Sequence, residues 1–177
     1  VEWCRSQREP TFQAMIDASA PHGLRSYWRG EYMSSLPDAA IDTFMEFAPE
    51  LVAAGTPFTQ VAIFRIGQGI AAVADDASAF SYRDAKYIFH PITIWQDAAD
   101  DAGMMAAARA FAKAMRPYDT GHAYLNFTQE GDRVRDAFGD AKYQRLVAIK
   151  DRYDPDNLFR LNQNIKPSKQ AGAPAPA

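Results

Sequence analysis

Two stretches of the chain repeat apolar residues every three or four positions, the spacing that places them on one face of a helix. The first predicts a helix over residues 36–54, with Ser35 as its N-cap and Pro37 in its first turn. The second predicts a helix that starts at Asp97 and stops before Pro117. The apolar positions are Ile41, Phe44, Met45 and Ala48 in the first helix and Met104, Ala108, Phe111 and Met115 in the second.

Shorter helices are predicted near both ends of the chain. Pro10 precedes apolar residues at helical spacing, and Pro21 and Gly23 are expected to end that helix. Towards the C-terminus, the pattern predicts helices over residues 132–138 and 140–152. They close the chain before an extended tail.

Two longer stretches are rich in residues that favour strands. Residues 59–74 hold two such runs around a glycine turn at 67–69, which predicts a hairpin. Residues 85–95 alternate two sets of side chains that are both mostly apolar, so this strand is expected to be covered on both faces. Pro91 has no N–H to donate to a ladder, which predicts a bulge or a sheet edge at that position.

A third, shorter strand is predicted over residues 123–127, after the turn that Gly121 marks. Because side chains of a strand alternate between its faces, Tyr124 and Asn126 are expected to share one face. The apolar side chains on either side of Asn126 are expected on the other.

The succession of strands and inserted helices predicts an α+β fold in which an antiparallel β-sheet is covered by helices. Regular alternation of strand and helix is lacking, which disfavours a doubly wound nucleotide-binding fold. The 177 residues suit one domain. We expect residues 1–10 to form a lead-in, residues 11–167 the domain, and the small, proline-rich residues 168–177 a disordered tail.

Composition and charge exclude several classes of function. Hydrophobic residues at 47% and aromatic residues at 12% are enough to fill a core. The formal net charge is -3, and Lys and Arg are scattered among Asp and Glu, so we expect no nucleic-acid partner. No apolar run approaches the roughly 20 residues of a membrane span, so we expect no membrane partner. The N-terminus lacks the order of a signal peptide, which favours the cytoplasm, although secretion stays open if the true N-terminus is missing.

Residues that bind metals and phosphates are scarce or badly spaced. Cys4 is the single cysteine, which excludes an internal disulfide framework and any multi-cysteine metal site. The sequence has no His/Glu metal spacing and no glycine loop of the phosphate-binding type, so no metal is expected. The chain starts at Val1 without a methionine, which suits a processed protein or a piece of a longer one.

Four segments carry a resemblance to a known family. The longest, AKYQRLVAIKDRYDPDNLFRLNQNIKP at 141–167, resembles the closing signature of the berberine-bridge-enzyme-like oxidases. In that signature a helix leads to Asp-Pro, then Asn and Phe, then an Asn/Gln-rich tail. DASAFSYRDAKYIFHPITIW resembles the family's central strand and the turn before it, and AYLNF resembles its Tyr-x-Asn strand, which faces the flavin. With RSYWRGEYMSSLPDAAID near the start, the matches follow the family's order over about residues 11–167.

The resemblance implies an FAD-dependent oxidoreductase of the vanillyl-alcohol-oxidase-type superfamily, in which this chain is the substrate-domain part of a two-domain flavoprotein. An N-terminal FAD-binding domain, in the same or a companion chain, would hold the flavin, and this region would cover the isoalloxazine ring. The family's chemistry implies hydride transfer from a small organic substrate to flavin N5, with oxygen as acceptor. The expected partners are therefore a small-molecule substrate and that FAD-binding domain.

Two catalytic residues, Tyr124 and His90, follow from the resemblance. Tyr124 stands where the family often has a phenol or phenolate base. A free tyrosine has a pKa of about 10, so its anion would need a stabilising neighbour such as His90 or an arginine. His90 stands where family members have a Glu or Gln that faces the substrate, and histidine suits a base or a hydrogen-bond partner. The alternatives are a core tyrosine and a histidine satisfied inside the sheet.

Three asparagines, Asn126, Asn162 and Asn164, are the expected cofactor-binding residues. Asn126 shares a strand face with Tyr124, which suits a hydrogen bond to the flavin or the substrate. Asn162 and Asn164 lie in the tail that contacts the FAD-binding domain in the family. The alternatives are that Asn126 caps a neighbouring backbone group and that the tail asparagines are simply solvated.

Two other functions remain open at this point. One is a stand-alone small-molecule binding module that keeps the fold without redox activity. The other is a dimerising, cofactor-free enzyme that uses His90 and Tyr124. The matched segments occur in order over most of the chain, which favours the oxidoreductase, but fold analogy does not select its substrate.

Overall fold

The computed structural model describes residues 21–129 and 131–170. The helix expected after Pro10, Cys4 and residues 171–177 of the expected tail lie outside the described residues. The strands are β1 (Arg25–Trp28), β2 (Glu31–Met33), β3 (Gln60–Arg65), β4 (Tyr87–Trp95) and β5 (Asp119–Ala123). The helices are α1 (Asp38–Ala54), α2 (Gln68–Ala71), α3 (Asp101–Met115), α4 (Val134–Phe138) and α5 (Asp140–Tyr153).

The sheet is antiparallel throughout these strands, and β4 is its central strand. β3 pairs with one edge of β4, while β1 and β2 pair end to end with the other edge. β5 pairs with the outer edge of β2. With helices packed on the sheet, the predicted α+β fold is confirmed.

Both long helices form where the apolar spacing predicts them, but each starts a few residues later. α1 begins at Asp38, with Pro37 at the N-cap position instead of Ser35. α3 begins at Asp101 because Ala98–Asp100 forms a 3₁₀ turn first. The Asp97 side chain caps that turn by accepting a hydrogen bond from the backbone N–H of Ala99 at 2.9 Å.

The hairpin predicted over residues 59–74 is wrong in its second half. β3 forms as expected, but the residues after it form the one-turn helix α2 and a 3₁₀ turn at Asp75–Ala77. The glycines favoured a tight turn, whereas the alanines that follow favour helix over strand. β3 pairs instead with β4, from Gln60 opposite Ile92 to Arg65 opposite Tyr87.

Pro91 lies in the middle of the central strand, so the predicted sheet edge is wrong. β1 and β2 keep one continuous register with β4, so these pairs contain no bulge at that position either. Pro91 stands opposite the step between β1 and β2, where the Arg29 N–H donates to the Pro91 carbonyl at 3.3 Å. A proline has no N–H to return that hydrogen bond, so this pair of residues makes one ladder bond instead of two.

The strand predicted over residues 123–127 is also wrong. β5 ends at Ala123, and Leu125–Phe127 forms a 3₁₀ turn. The strand stops there because β2 begins at Glu31, which lies opposite Ala123 in the register. One further bond, from the Tyr124 N–H to the Gly30 carbonyl at 2.8 Å, fixes the point where the turn starts.

The main core lies between the sheet and helices α1 and α3. Phe111 of α3 is 1% exposed and meets Phe89 of β4 edge to face, with ring centroids 4.9 Å apart. It also stacks on Phe47 of α1 at 5.5 Å. The buried residues that share this cluster are Met33, Ala40, Ala48, Leu51, Phe89, Ala112 and Met115. The apolar faces predicted for the two helices are confirmed, except that Ile41 and Met45 face outwards.

The C-terminal segment runs back over the molecule after α5. Pro167 is fully buried, and Ser168–Gln170 forms a 3₁₀ turn. The backbone N–H of Ser168 donates to the Asp151 carboxylate at 2.8 Å, which ties this turn to α5. Between these points, Leu158, Phe159 and Leu161 extend into solvent, each more than 70% exposed.

Across residues 21–129 and 131–170, none of the helices combines the length and the apolar character that crossing a bilayer requires. In the same ranges, no three side chains of the types His, Cys, Asp and Glu stand close enough to share a metal ion.

Candidate active site

The face of the sheet turned away from α1 and α3 is covered by irregular chain, residues 79–86 and 124–129. Tyr32, Ala85 and Ile88 are buried beneath this cover. Because side chains alternate along β4, His90 lies on the same face as Ile88. The cover itself is aromatic, and the side chains that pack on this cluster are Ile66, Tyr82, Tyr124 and Phe127. Both candidate catalytic residues therefore lie on one face.

Tyr124 and Asn126 are held together in spite of the wrong strand prediction. The side-chain N–H of Asn126 donates to the phenol oxygen of Tyr124 at 3.0 Å. Both residues line a cavity of about 240 Å³ that Tyr32, Phe80 and other residues enclose. The hydrogen bond from Asn126 fixes the position of the phenol oxygen, and a phenol oxygen keeps a lone pair that can accept a further hydrogen bond from a molecule in the cavity.

The turn that carries Tyr124 is fastened by its backbone. Besides the bond from the Tyr124 N–H to Gly30, the Thr128 hydroxyl donates to the Tyr124 carbonyl at 3.1 Å. A Cβ added to Gly30 would lie 2.6 Å from the Cβ of Phe127. Gly30 therefore lets the turn approach the sheet closely, which no other residue type could do without moving it.

His90 is 2% exposed and is held by a hydrogen bond between its Nδ1 and the Arg29 carbonyl at 2.7 Å. Because a carbonyl oxygen only accepts, Nδ1 must carry a proton, and the neutral ring keeps its lone pair on Nε2. Burial lowers the pKa of His90, and the hydrogen bond to Arg29 offsets part of that effect. The ring is therefore neutral, and able to accept a proton, near neutral pH.

Phe127 stands between the two candidate catalytic residues. Its ring stacks on His90, with centroids 4.0 Å apart and planes at 12°, and meets Tyr124 edge to face at 4.9 Å. His90 is not among the residues that line the Tyr124 cavity. The structure thus places His90 and Tyr124 in one layer and separates them by one aromatic ring.

We expect the stability of the protein to fall less on acidification when His90 is replaced by Gln. The pKa of His90 is lowered in the folded state, so below about pH 6.5 the unfolded chain binds more protons than the folded one. His90 therefore favours folding above that pH and loses this contribution as the pH falls towards its folded-state pKa. A tenfold difference in proton affinity between the two states corresponds to about 1.4 kcal/mol. Urea unfolding at about pH 7.5 and about pH 5.5 measures the loss.

The matched control for this measurement is His22→Gln, since His22 is exposed. It should leave the difference between the two pH values as it is in the wild type. An equal acid-induced loss of stability in His90→Gln and in the wild type would contradict the assignment of His90 as a buried neutral histidine.

Asn162 and Asn164 lie near the turn that carries Tyr124, and the residue between them, Gln163, contacts that turn. Asn162 is exposed, with a φ of 58°, and its carbonyl accepts from the Asn164 N–H at 2.9 Å. Between them, the Gln163 side chain donates to the Thr128 carbonyl at 2.6 Å, beside the turn that carries Tyr124. The side-chain oxygens of Gln163 and Asn164 are buried without a donor among the described residues. Neither asparagine lines the Tyr124 cavity.

A buried ion cluster on the helix side of the sheet was missed from the sequence. Glu31 is 4% exposed, and its carboxylate accepts from Arg133 at 2.6 and 2.7 Å and from Arg29 at 2.9 Å. Arg133 also donates to the Gly121 carbonyl of β5 at 2.9 Å. A carboxylate between aromatic strand residues, as in SYWRGEYM, is the signal that points to such a cluster.

Tyr82 and His122 are half-buried and stacked on each other. Their ring centroids are 3.8 Å apart and their planes meet at 12°. The Tyr82 hydroxyl donates to the Asp136 carbonyl at 2.5 Å, and burial raises the pKa of Tyr82. Neither position has a periodic pattern around it, so the sequence offers no signal for this pair.

The chain is similar to flavoproteins in sequence and in fold. Residues 123–166 match the family model described as berberine and berberine like. The FAD-linked oxidoreductase YvdP of Bacillus subtilis is 27% identical over 147 residues, which cover 81% of this chain and 31% of that protein. The chain spans about a third or less of the length of the curated relatives it matches.

Solved structures share the fold. Berberine bridge enzyme-like 1 of Physcomitrella patens superposes with a TM-score of 0.65 at 22% identity, over 76% of this chain and 29% of that one. The 6-hydroxy-D-nicotine oxidase of Arthrobacter nicotinovorans superposes with a TM-score of 0.66 at 21% identity, over 89% of this chain and 36% of that one. At these identities the likeness is one of fold.

Proposed function

We propose that the chain, which is similar to berberine-bridge-enzyme-like proteins, is the substrate-covering part of an FAD-linked oxidoreductase that acts on a small organic molecule. The observation that carries the proposal is the hydrogen bond between Asn126 and the Tyr124 phenol at the wall of a cavity. It supports a role for this wall in taking a proton from a bound substrate.

The described residues fit a flavin that is held mainly elsewhere. No glycine loop in the sequence suits the FAD phosphates, and in the proposed function an FAD-binding domain of the same or a companion chain holds them. The buried, unpaired oxygen of Asn164 and the exposed apolar side chains Leu158, Phe159 and Leu161 support contact of the tail with such a domain. Asn126 would face the flavin ring or the substrate. Asn162 and Asn164 would contact the cofactor or the FAD-binding domain that holds it.

When bound, FAD would accept a hydride from the substrate at its N5, with oxygen as the expected final acceptor. The chain's own residues handle the proton. Tyr124, with Asn126 on its phenol oxygen, is the proposed base. His90, neutral and buried behind Phe127, is the second proposed proton acceptor, and its unprotonated Nε2 is the atom that would take a proton.

The test is to express the chain together with the coding sequence that precedes Val1 in its genome. The proposal predicts a yellow protein whose visible flavin absorbance is bleached, without oxygen, by at least one member of a panel of alcohols, amines and sugars. Return of the absorbance when oxygen is admitted would support oxygen as the acceptor. A folded, flavin-free protein that binds a small molecule would instead support the stand-alone binding module.

A further inference from the structure

We infer that Pro91 is a positioning residue for His90, because it reserves the carbonyl of Arg29 for the histidine ring. The inference rests on the proposed function, in which neutral His90 accepts a proton at Nε2. Pro91 would act through His90 and would not itself contact the substrate or the cofactor.

The first step is the pairing between β4 and the step that joins β1 to β2. The register is continuous across that step, so Arg29 stands opposite Pro91. In an antiparallel ladder, two residues of a hydrogen-bonded pair exchange two bonds. One of them is present, from the Arg29 N–H to the Pro91 carbonyl at 3.3 Å. The other would run from residue 91 to the Arg29 carbonyl, and proline has no N–H to make it.

The second step is what this carbonyl does instead. It accepts from Nδ1 of His90 at 2.7 Å, a short bond in a place where water has little access. Any residue other than proline at position 91 would bring an N–H to the same oxygen, in the direction that the ladder favours. The bond to Nδ1 fixes the tautomer of the neutral ring, so Nε2 is the atom left without a proton.

The position of the Arg29 carbonyl is supported in turn by the side chain of Arg29. The side chain of Arg29 is tied to Glu31 on the helix side of the sheet, and Arg133 ties Glu31 to β5. The next carbonyl, that of Gly30, accepts from the Tyr124 N–H. The carbonyl of Arg29 therefore holds the ring of His90, and the next carbonyl, that of Gly30, holds the backbone of Tyr124. Of these two contacts, the one to His90 is the contact that depends on the lack of an N–H at Pro91.

The experiment compares Pro91→Ala with the wild-type flavin-loaded protein, each labelled with ¹⁵N at histidine only. The ¹⁵N shifts of His90, assigned from a His90→Gln sample, report which ring nitrogen carries the proton. The wild type should show the Nδ1–H tautomer as the dominant form, and Pro91→Ala should lose that dominance. We expect kcat to fall roughly tenfold, because a smaller share of His90 has a free Nε2. Flavin content should not change.

Two further variants separate the missing donor from the shape of the ring. Lactic acid placed at position 91 gives an ester, which has alanine's methyl group and no N–H, and should restore the Nδ1–H tautomer. Pro49→Ala also adds a backbone N–H, but inside α1, which packs on the face of the sheet opposite His90. It should leave the His90 shifts unchanged. An unchanged Nδ1–H tautomer in Pro91→Ala would overturn the inference, as would failure of the ester to restore it. If the protein takes up no flavin, the proposed function fails, and the tautomer is then read in the flavin-free protein.

Discussion

Replacing Tyr124 with Phe is expected to slow reduction of the flavin by about 10²- to 10⁴-fold, the usual contribution of a positioned general base. The substitution removes the phenol oxygen that accepts from Asn126 and keeps the ring. The ring's contacts with Tyr32, at 5.7 Å, and with Phe127, at 4.9 Å, should therefore hold the turn in place. Stopped-flow measurement of flavin reduction without oxygen gives the rate directly, and the visible spectrum gives the flavin content.

The size of the effect separates catalysis from packing. Tyr153→Phe is the matched control, because it removes the same hydroxyl from a side chain that is 71% exposed, and it should leave the rate unchanged. A Tyr124→Phe protein that is reduced at the wild-type rate would show that Tyr124 is a core tyrosine. Loss of flavin in the same variant would indicate instead that the phenol supports the cofactor.

Elements with a strong period could be predicted from the sequence. The helices α1 and α3 and the central strand β4 each have a run of apolar positions long enough to exclude other structures. Their starts were predicted less well, since α1 has Pro37 instead of Ser35 at its N-cap position and a 3₁₀ turn capped by Asp97 precedes α3. The pattern decided which face is buried, and packing decided where the element begins.

The wrong predictions share a physical cause, which is that pairing partners are distant in sequence. The strand over residues 123–127 was expected from its alternation, but β2 offers too few residues for the ladder to continue past Ala123. The second strand of the hairpin failed because β4 took its place beside β3. Local propensity contains no information about which partner is available.

The candidate site was predictable in part. The hydrogen bond between Asn126 and Tyr124 joins two residues that were expected on one strand face, although a 3₁₀ turn now brings them together. The position of His90 behind Phe127 could not be read from the sequence, because it depends on Gly30 letting the turn approach the sheet. The buried Glu31 cluster depends in the same way on Arg133, about a hundred residues away.

Replacing Phe111 with Ala should lower the free energy of unfolding by about 3–5 kcal/mol, the range measured when a large buried aromatic side chain is removed. Phe111 joins three parts of the core at once, since it contacts Phe89 of β4 and both Phe44 and Phe47 of α1. Urea unfolding followed by tryptophan fluorescence measures the change. Met45→Ala, at a position that is 62% exposed in α1, should stay within about 0.5 kcal/mol of the wild type.

The same variant tests whether the two faces of the sheet have separate tasks. Phe111 lies on the helix side, whereas Tyr124 and His90 lie on the opposite face, so no contact of Phe111 reaches either of them. At a temperature where the variant stays folded, its rate of flavin reduction should therefore be close to that of the wild type, in contrast to Tyr124→Phe. A loss of rate as large as that of Tyr124→Phe, in a fully folded protein, would mean that the helix layer sets the geometry of the site through β4. The stability and the chemistry of the chain could then not be assigned to different faces.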